Sequence, residues 1–173
     1  MLIIEHTTME RHHYYVNIHW DSDRKGIMCS PELTSSPSEK GCIEVATPPQ
    51  FPKGMHGIWS PEHLFTASVS SCFMTTFLAI AENSKLDFKS FDCKASGILE
   101  QAEGKFLMTE VILEPTVTLN EEKDKERALR ILQRTEMNCL ISNSIKSKVR
   151  MNPVVKLYES LQEDTLRKNQ PAI

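Results

Sequence analysis

No two cysteines in this chain have just two residues between them, and the five that occur, Cys29, Cys42, Cys72, Cys93 and Cys139, are widely spaced. Without a C-x-x-C pair there is neither a zinc ribbon nor a thioredoxin-type motif. An odd number of cysteines also argues against a secreted disulfide framework, so free thiols in a reducing cytosol are expected. A basic excess is missing too: 20 Lys and Arg face 23 Asp and Glu, for a net charge of -3. Such a balance is poorly suited to neutralising phosphates, and nucleic acid is not an expected partner. No stretch approaches the roughly 18 apolar residues of a membrane span. The most apolar region, Leu64 to Ala81, is interrupted by Ser68, Ser70, Ser71, Thr75 and Thr76. The leading Met-Leu-Ile-Ile run is short and has no basic region before it, unlike a signal peptide. His12 and His13 lack carboxylates at ligand spacing, so neither a metal nor a bound cofactor is expected. These absences together predict a cytoplasmic protein with no membrane or nucleic-acid partner.

What remains suits one packed domain over residues 1–173. Of these residues, 40% are hydrophobic and 25% charged. The core is expected from about residue 14 to 155, with a polar tail from about 161 to 173. Tyr14, Val16, Ile18 and Trp20 alternate with polar or amphipathic residues at the period of a half-buried strand. Two short strands are predicted at Gly26 to Cys29 and Cys42 to Ala46, with a polar loop from Pro31 to Gly41 between them. The connector Thr47 to Gly57 is too rich in proline and glycine for regular structure.

A helix then opens cleanly. Ser60 can cap it, Pro61 suits its first position and Glu62 complements its positive end. It should run to about Asn83, and its near absence of charge predicts burial all round. Phe91 to Leu99 and Phe106 to Leu119 form a β-hairpin about the turn Ala102-Glu103-Gly104. Glu121 to Met137 reads as a helix with Ala128, Ile131, Leu132 and Thr135 as its buried stripe. Asn138 breaks it, a short helix covers Leu140 to about Lys146, and Val149 to Leu157 reads as a closing strand.

Two cysteines sit where chemistry is conceivable. Cys72 lies midway along the buried helix, where a cysteine is also an ordinary small core residue. Cys139 opens the short helix, where unsatisfied amides and the helix dipole favour thiolate; the plainer reading is a cysteine that fills a helix-start position. Cys29, Cys42 and Cys93 fall on strand or loop positions and read as structural.

The run Ser60-Pro61-Glu62-His63-Leu64-Phe65, with Cys72 ten residues after Glu62 and Cys139-Leu140-Ile141-Ser142 further on, resembles the OsmC/Ohr family. That family starts its central helix with Asn/Ser-Pro-Glu-x-Leu and carries its second cysteine in Cys-Pro-x-Ser. The resemblance extends roughly from Tyr14 to Val155. It implies an α+β fold, with antiparallel sheets packed around a long buried central helix, in an intertwined homodimer. It also implies a thiol-dependent peroxidase. Cys72 would attack an organic hydroperoxide to give a sulfenic acid, Cys139 would resolve it to a disulfide, and an external dithiol, of lipoyl type by the same resemblance, would reduce that disulfide. Glu62 matches the glutamate of the helix start. An arginine of the N-terminal region would hold the thiolate; Arg24 is the better match and Arg11 the other candidate. Leu140 departs from the family's proline. The connector bearing Phe51, Met55, His56 and Trp59 departs as well.

Geometry adds one expectation about assembly. Glu62 and Cys72 are separated by about 15 Å along a straight helix, so they meet only if two copies pack antiparallel. Ala67 lies at the midpoint, flanked by the small Ser68 and Ser70. A homodimer with composite sites is therefore expected. Phe65, Phe73, Phe77, Met55 and Trp59 are candidate apolar walls, or ordinary core. Two rival readings share the fold: a module binding a small hydrophobic ligand, and a thiol enzyme that uses Cys72 as a nucleophile without peroxide.

Overall fold

A computed structural model describes residues 11–33, 41–102 and 104–158. The expected polar tail, Glu103 of the hairpin turn and most of the Pro31–Gly41 loop lie outside them. The chain divides into two units, Met1–Pro61 and Glu62–Ile173.

The first unit is a three-stranded antiparallel sheet ordered β1 (Asn17–Ser22), β2 (Lys25–Cys29), β3 (Cys42–Ala46). Asp23 and Arg24 make the tight turn between β1 and β2. Asp23 adopts φ 44°, a left-handed conformation that Asp tolerates because its short side chain bonds locally. Lys25 ties the sheet together by reaching Asp21 at 3.1 Å and Glu44 at 2.8 Å. The expected first strand is corrected in two ways. It begins at Asn17 rather than Tyr14, and every one of its residues is exposed. Tyr14, Val16, Ile18 and Trp20 alternate, but all four are exposed.

A second correction concerns thiols. Cys29 and Cys42 are joined in a disulfide rather than free. Strand register brings this about, since β2 and β3 pair with Cys29 directly opposite Cys42. A wide spacing in sequence says nothing of such a meeting.

The second unit is built on a 15-residue hairpin pair, β4 (Phe88–Ala102) and β5 (Lys105–Leu119). The single closing strand expected at Val149 to Leu157 is two: β6 (Lys148–Met151) and β7 (Val154–Leu157). Both run parallel to β5, so this sheet is mixed rather than antiparallel. Asn152 and Pro153 interrupt them. The break faces Pro115 of β5, between the stretch paired with β6 (Glu110–Leu113) and that paired with β7 (Thr116–Leu119). A proline inside a strand is tolerated where no neighbour needs its missing amide.

The central helix α1 spans Pro61–Asn83. Its Val69, Phe73, Phe77 and Ala81 recur every four residues and are fully buried. They pack with Val111, Leu113, Val117 and Leu119 of β5 in one core cluster. Phe77 stacks on Phe91 with centroids 4.6 Å apart and meets Phe88 edge-on at 5.4 Å. At Gly97 of β4 the helix comes so close that a Cβ would lie 2.2 Å from Thr66 Oγ1.

Two expectations about α1 change. It is not buried all round: only 22% of its most apolar 18-residue window is covered within the chain. It is also long and apolar enough, by length and composition, to cross a membrane. Its hydroxyls do not interrupt it, because they turn back onto the helix. Ser68, Ser70 and Thr75 donate to the carbonyls of Phe65, Ala67 and Cys72 at 2.7, 3.2 and 3.0 Å.

After β5, a short 3₁₀ turn (Glu122–Asp124) leads into α2 (Lys125–Asn138). Its buried stripe is Ala128, Ile131, Leu132 and Thr135, as the periodicity predicts. The short helix α3 (Leu140–Ser144) follows at once.

Candidate functional site

Cys139 is the single residue between α2 and α3, with φ −66° and ψ 111°, so it ends one helix and caps the next. This kink turns the first amides of α3 outward from their own helix, where they have no intrahelical acceptor. They meet Cys72. The Ile141 N–H donates to Cys72 Sγ at 3.4 Å, across 69 residues of sequence.

Cys72 reaches that point because of its place on α1. It lies beside the buried Val69–Phe73–Phe77 stripe rather than on it, half-buried against the core cluster. Thr76 follows one turn later on the same flank. Cys139 is fully buried and belongs to the cluster itself.

The two thiols differ in acidity. At Cys72, burial pushes the pKa up, but the Ile141 amide, the Cys139 thiol, the Thr76 hydroxyl and the Leu140 amide outweigh it and bring the pKa below its ordinary value. At Cys139, burial dominates and raises the pKa. Ser142 opposes this through its hydroxyl and amide, while the nearby Cys72 adds to it. The Ser142 hydroxyl is buried and has no hydrogen-bond partner among the described residues. Its pull on Cys139 is therefore weak beside the effect of burial. The result is a pair in which Cys72 is the more acidic thiol and Cys139 the less acidic one.

Glu62 sits in the first turn of α1, ten residues before Cys72 and about 15 Å from it along the axis. Its Oε2 is buried and has no hydrogen-bond partner among the described residues. Arg24 belongs to the first unit, exposed in the β1–β2 turn, with its carbonyl accepting the Thr47 amide at 3.1 Å. Arg11, the other candidate, is exposed as well. The second unit thus brings Cys72 and Cys139 together and leaves Glu62 apart from them.

Among the candidate apolar walls, Phe73 and Phe77 prove to be core, wholly enclosed in the aromatic stack. Phe65 is half-buried beside the cluster, and Met55 and Trp59 lie in the first unit. The sequence directs the free amides at the start of α3 to Cys139; the structure corrects this, since the Leu140 and Ile141 amides serve Cys72 and burial pushes Cys139 up instead. Sequence reasoning missed Thr76. Thr76 was legible in principle, since it stands four residues after Cys72 and so shares its helix face.

The model of the OsmC-like protein family matches residues 54–153, more than half of the chain. An uncharacterized protein of Bacillus subtilis, YmaD, is 24% identical over 152 residues, spanning 83% of this chain and 93% of its own. Among solved structures, an OsmC-like protein of unknown function from Vibrio cholerae superposes with TM-score 0.71 at 22% identity, covering 83% of this chain and 100% of its own. An organic hydroperoxide resistance protein from Elizabethkingia anophelis does so with TM-score 0.66 at 20% identity, covering 87% and 99%. The organic hydroperoxide resistance protein OhrB of Bacillus subtilis gives 0.61 at 18%, covering 84% and 98%. Helix, hairpin and cysteine pair thus lie within a matched family segment and a shared α+β fold: this chain belongs to the OsmC family.

Proposed function

We propose that this protein is a thiol-dependent peroxidase acting on organic hydroperoxides, with Cys72 as the attacking sulfur and Cys139 as the resolving one. The observation that carries the reading is the Ile141 amide on the Cys72 sulfur, with the more basic Cys139 thiol beside it. In the first step the Cys72 thiolate attacks the distal peroxide oxygen. The O–O bond breaks, Cys72 becomes a sulfenic acid and the alkoxide leaves as an alcohol after taking a proton. In the second step the Cys139 sulfur attacks the sulfenic sulfur, forming a Cys72–Cys139 disulfide and releasing water. An external dithiol then reduces that disulfide by exchange and is itself oxidised. Relatives of this fold named for organic hydroperoxide resistance support the choice of substrate class.

The remaining roles follow from what the single chain leaves unfinished. The buried Glu62 Oε2 calls for a cationic donor, and Arg24 is the arginine we assign to the site, steadied by Glu62 and directed at the thiolate. Because Glu62 lies about 15 Å from Cys72 on its own helix, it serves the Cys72 of a second copy. The face of α1 left uncovered by its own chain, including Met74 and Leu78 at 39% and 41% exposure, supports a homodimer closed over that helix. In this reading α1 is an interface helix of a cytoplasmic enzyme that needs no metal or bound cofactor.

The test is turnover of cumene hydroperoxide with a dithiol reductant. Wild type is expected to cycle, Cys72→Ser to lose all activity, and Cys139→Ser to react once and stall as a sulfenic acid that dimedone traps. Full activity in Cys72→Ser would overturn the assignment.

A further inference from the structure

The peroxidase cycle uses two of the five cysteines and leaves the Cys29–Cys42 disulfide without a part. We propose that this disulfide is a second thiol–disulfide couple, a site at which external dithiols exchange with the chain.

Its placement in the sheet argues for exchange rather than for a structural staple. Cys29 and Cys42 form the last rung of the β2–β3 ladder. Just beyond them the Ser30 amide donates to the Gly41 carbonyl at 3.1 Å, so the cysteines occupy a rung without backbone hydrogen bonds between them. On such a rung the two side chains stand closest, and here the Cα atoms are 4.1 Å apart. The thiols therefore face each other before any bond forms, and closing or opening it requires no change of register.

The sheet does not depend on the link. Four further rungs, Lys25 with Ala46 through Met28 with Ile43, pair β2 with β3. The ion pair between Lys25 and Glu44 fastens the opposite end of the ladder. Reduction would leave this framework in place, which separates the redox state of the pair from the folding of the unit. Both residues are only half-buried, and β3 is an edge strand, so an attacking thiolate has a path to sulfur.

The chemistry balances with a dithiol as partner. One thiolate of the dithiol attacks one sulfur of the disulfide, breaking the S–S bond and forming a mixed disulfide. The other cysteine leaves as thiolate and takes a proton. The second thiol of the reagent then displaces the first cysteine, closing an oxidised dithiol and giving two free thiols on the chain. The second displacement is intramolecular, so dithiols are favoured over monothiols at equal concentration. In a chain whose other three cysteines are free, a single accessible disulfide fits a redox-responsive role better than a scaffold. This inference does not rest on the peroxidase reading, because it needs neither Cys72 nor Cys139.

The experiment uses the full chain with Cys72 and Cys139 both changed to Ser, quenched in acid and alkylated, then mapped peptide by peptide. The expected starting state is one free thiol, Cys93, with Cys29 and Cys42 cross-linked. Adding dihydrolipoamide under native conditions should expose both as new thiols with the far-ultraviolet circular dichroism unchanged, and oxidised lipoamide should close them again. The proposal is overturned if Cys29 and Cys42 are alkylated without reductant, or if the link opens only in denaturant. Wild-type protein mapped in the same way gives the same reading should the double variant fail to fold. Failure of peroxide turnover with intact Cys29–Cys42 exchange would count against the peroxidase alone.

Discussion

The Cys72 sulfur accepts the Ile141 amide at 3.4 Å, so the middle of α1 is tied to the first turn of α3. Without the kink at Cys139, those amides would point into a continuous helix and would have no free hydrogens to offer. Cys139 thus shapes the site twice: its backbone frees the donors, and its side chain stands beside the sulfur they serve.

Leu140→Pro is the substitution that isolates one donor. The proline fits the first position of α3 but removes the Leu140 amide, one of the groups that favour the Cys72 thiolate. Alkylation of Cys72 by iodoacetamide at neutral pH should slow roughly fivefold, as expected for a hydrogen bond of about 1 kcal/mol. Leu140→Ala keeps the amide and should keep the rate. Equal rates in both variants would remove Leu140 from the account.

Acidity also predicts a pH dependence of stability. The Cys72 pKa is lowered on folding, so between its folded and ordinary values the unfolded chain binds more protons. Stability should rise with pH across that window and be lost as pH falls through the folded value. Cys139 is raised, so its contribution has the opposite sign and declines as pH climbs above the ordinary thiol range. Urea midpoints measured from neutral to alkaline pH should show the rise in wild type and lose it in Cys72→Ser.

Packing makes a prediction at the helix–sheet crossing. Gly97→Ala puts a methyl 2.2 Å from Thr66 Oγ1 and 2.6 Å from Met108 Cε. Met108 can swing its end away, whereas Thr66 Oγ1 is held by its bond to the Glu62 carbonyl at 2.9 Å. A loss of about 1–3 kcal/mol is expected from overpacking. Adding Thr66→Ala should recover part of it in a double-mutant cycle of denaturation midpoints.

Assembly is tested by mass. Light scattering should give about twice the 19.7 kDa of one chain. Met74→Glu on the exposed flank of α1 should shift the mass toward one chain and lower turnover with it. A wild-type protein that is monomeric and fully active would contradict the composite site.

How much of this was legible in the sequence depended on the range of the signal. Elements set by local chemistry were readable almost to the residue. Ser60-Pro61-Glu62 announced the start of α1, and Ala128, Ile131, Leu132 and Thr135 announced the buried face of α2. Features set by pairing across the chain were not. The disulfide follows from β2–β3 register, and the parallel pairing of β6 and β7 with β5 follows from the crossover through α2 and α3 between them. At the candidate site the sulfurs were legible as side chains and were singled out. The free amides at the start of α3 were legible too, but not the sulfur they serve, because Cys72 meets Ile141 across 69 residues of sequence.

The central claim is that Cys72 and Cys139 form a working pair, and counting thiols tests it most directly. Wild-type protein should show three free thiols, Cys72, Cys93 and Cys139. One equivalent of cumene hydroperoxide should reduce these to Cys93 alone, with Cys72 and Cys139 recovered in a single cross-linked peptide. Three thiols still free after prolonged exposure would contradict the account.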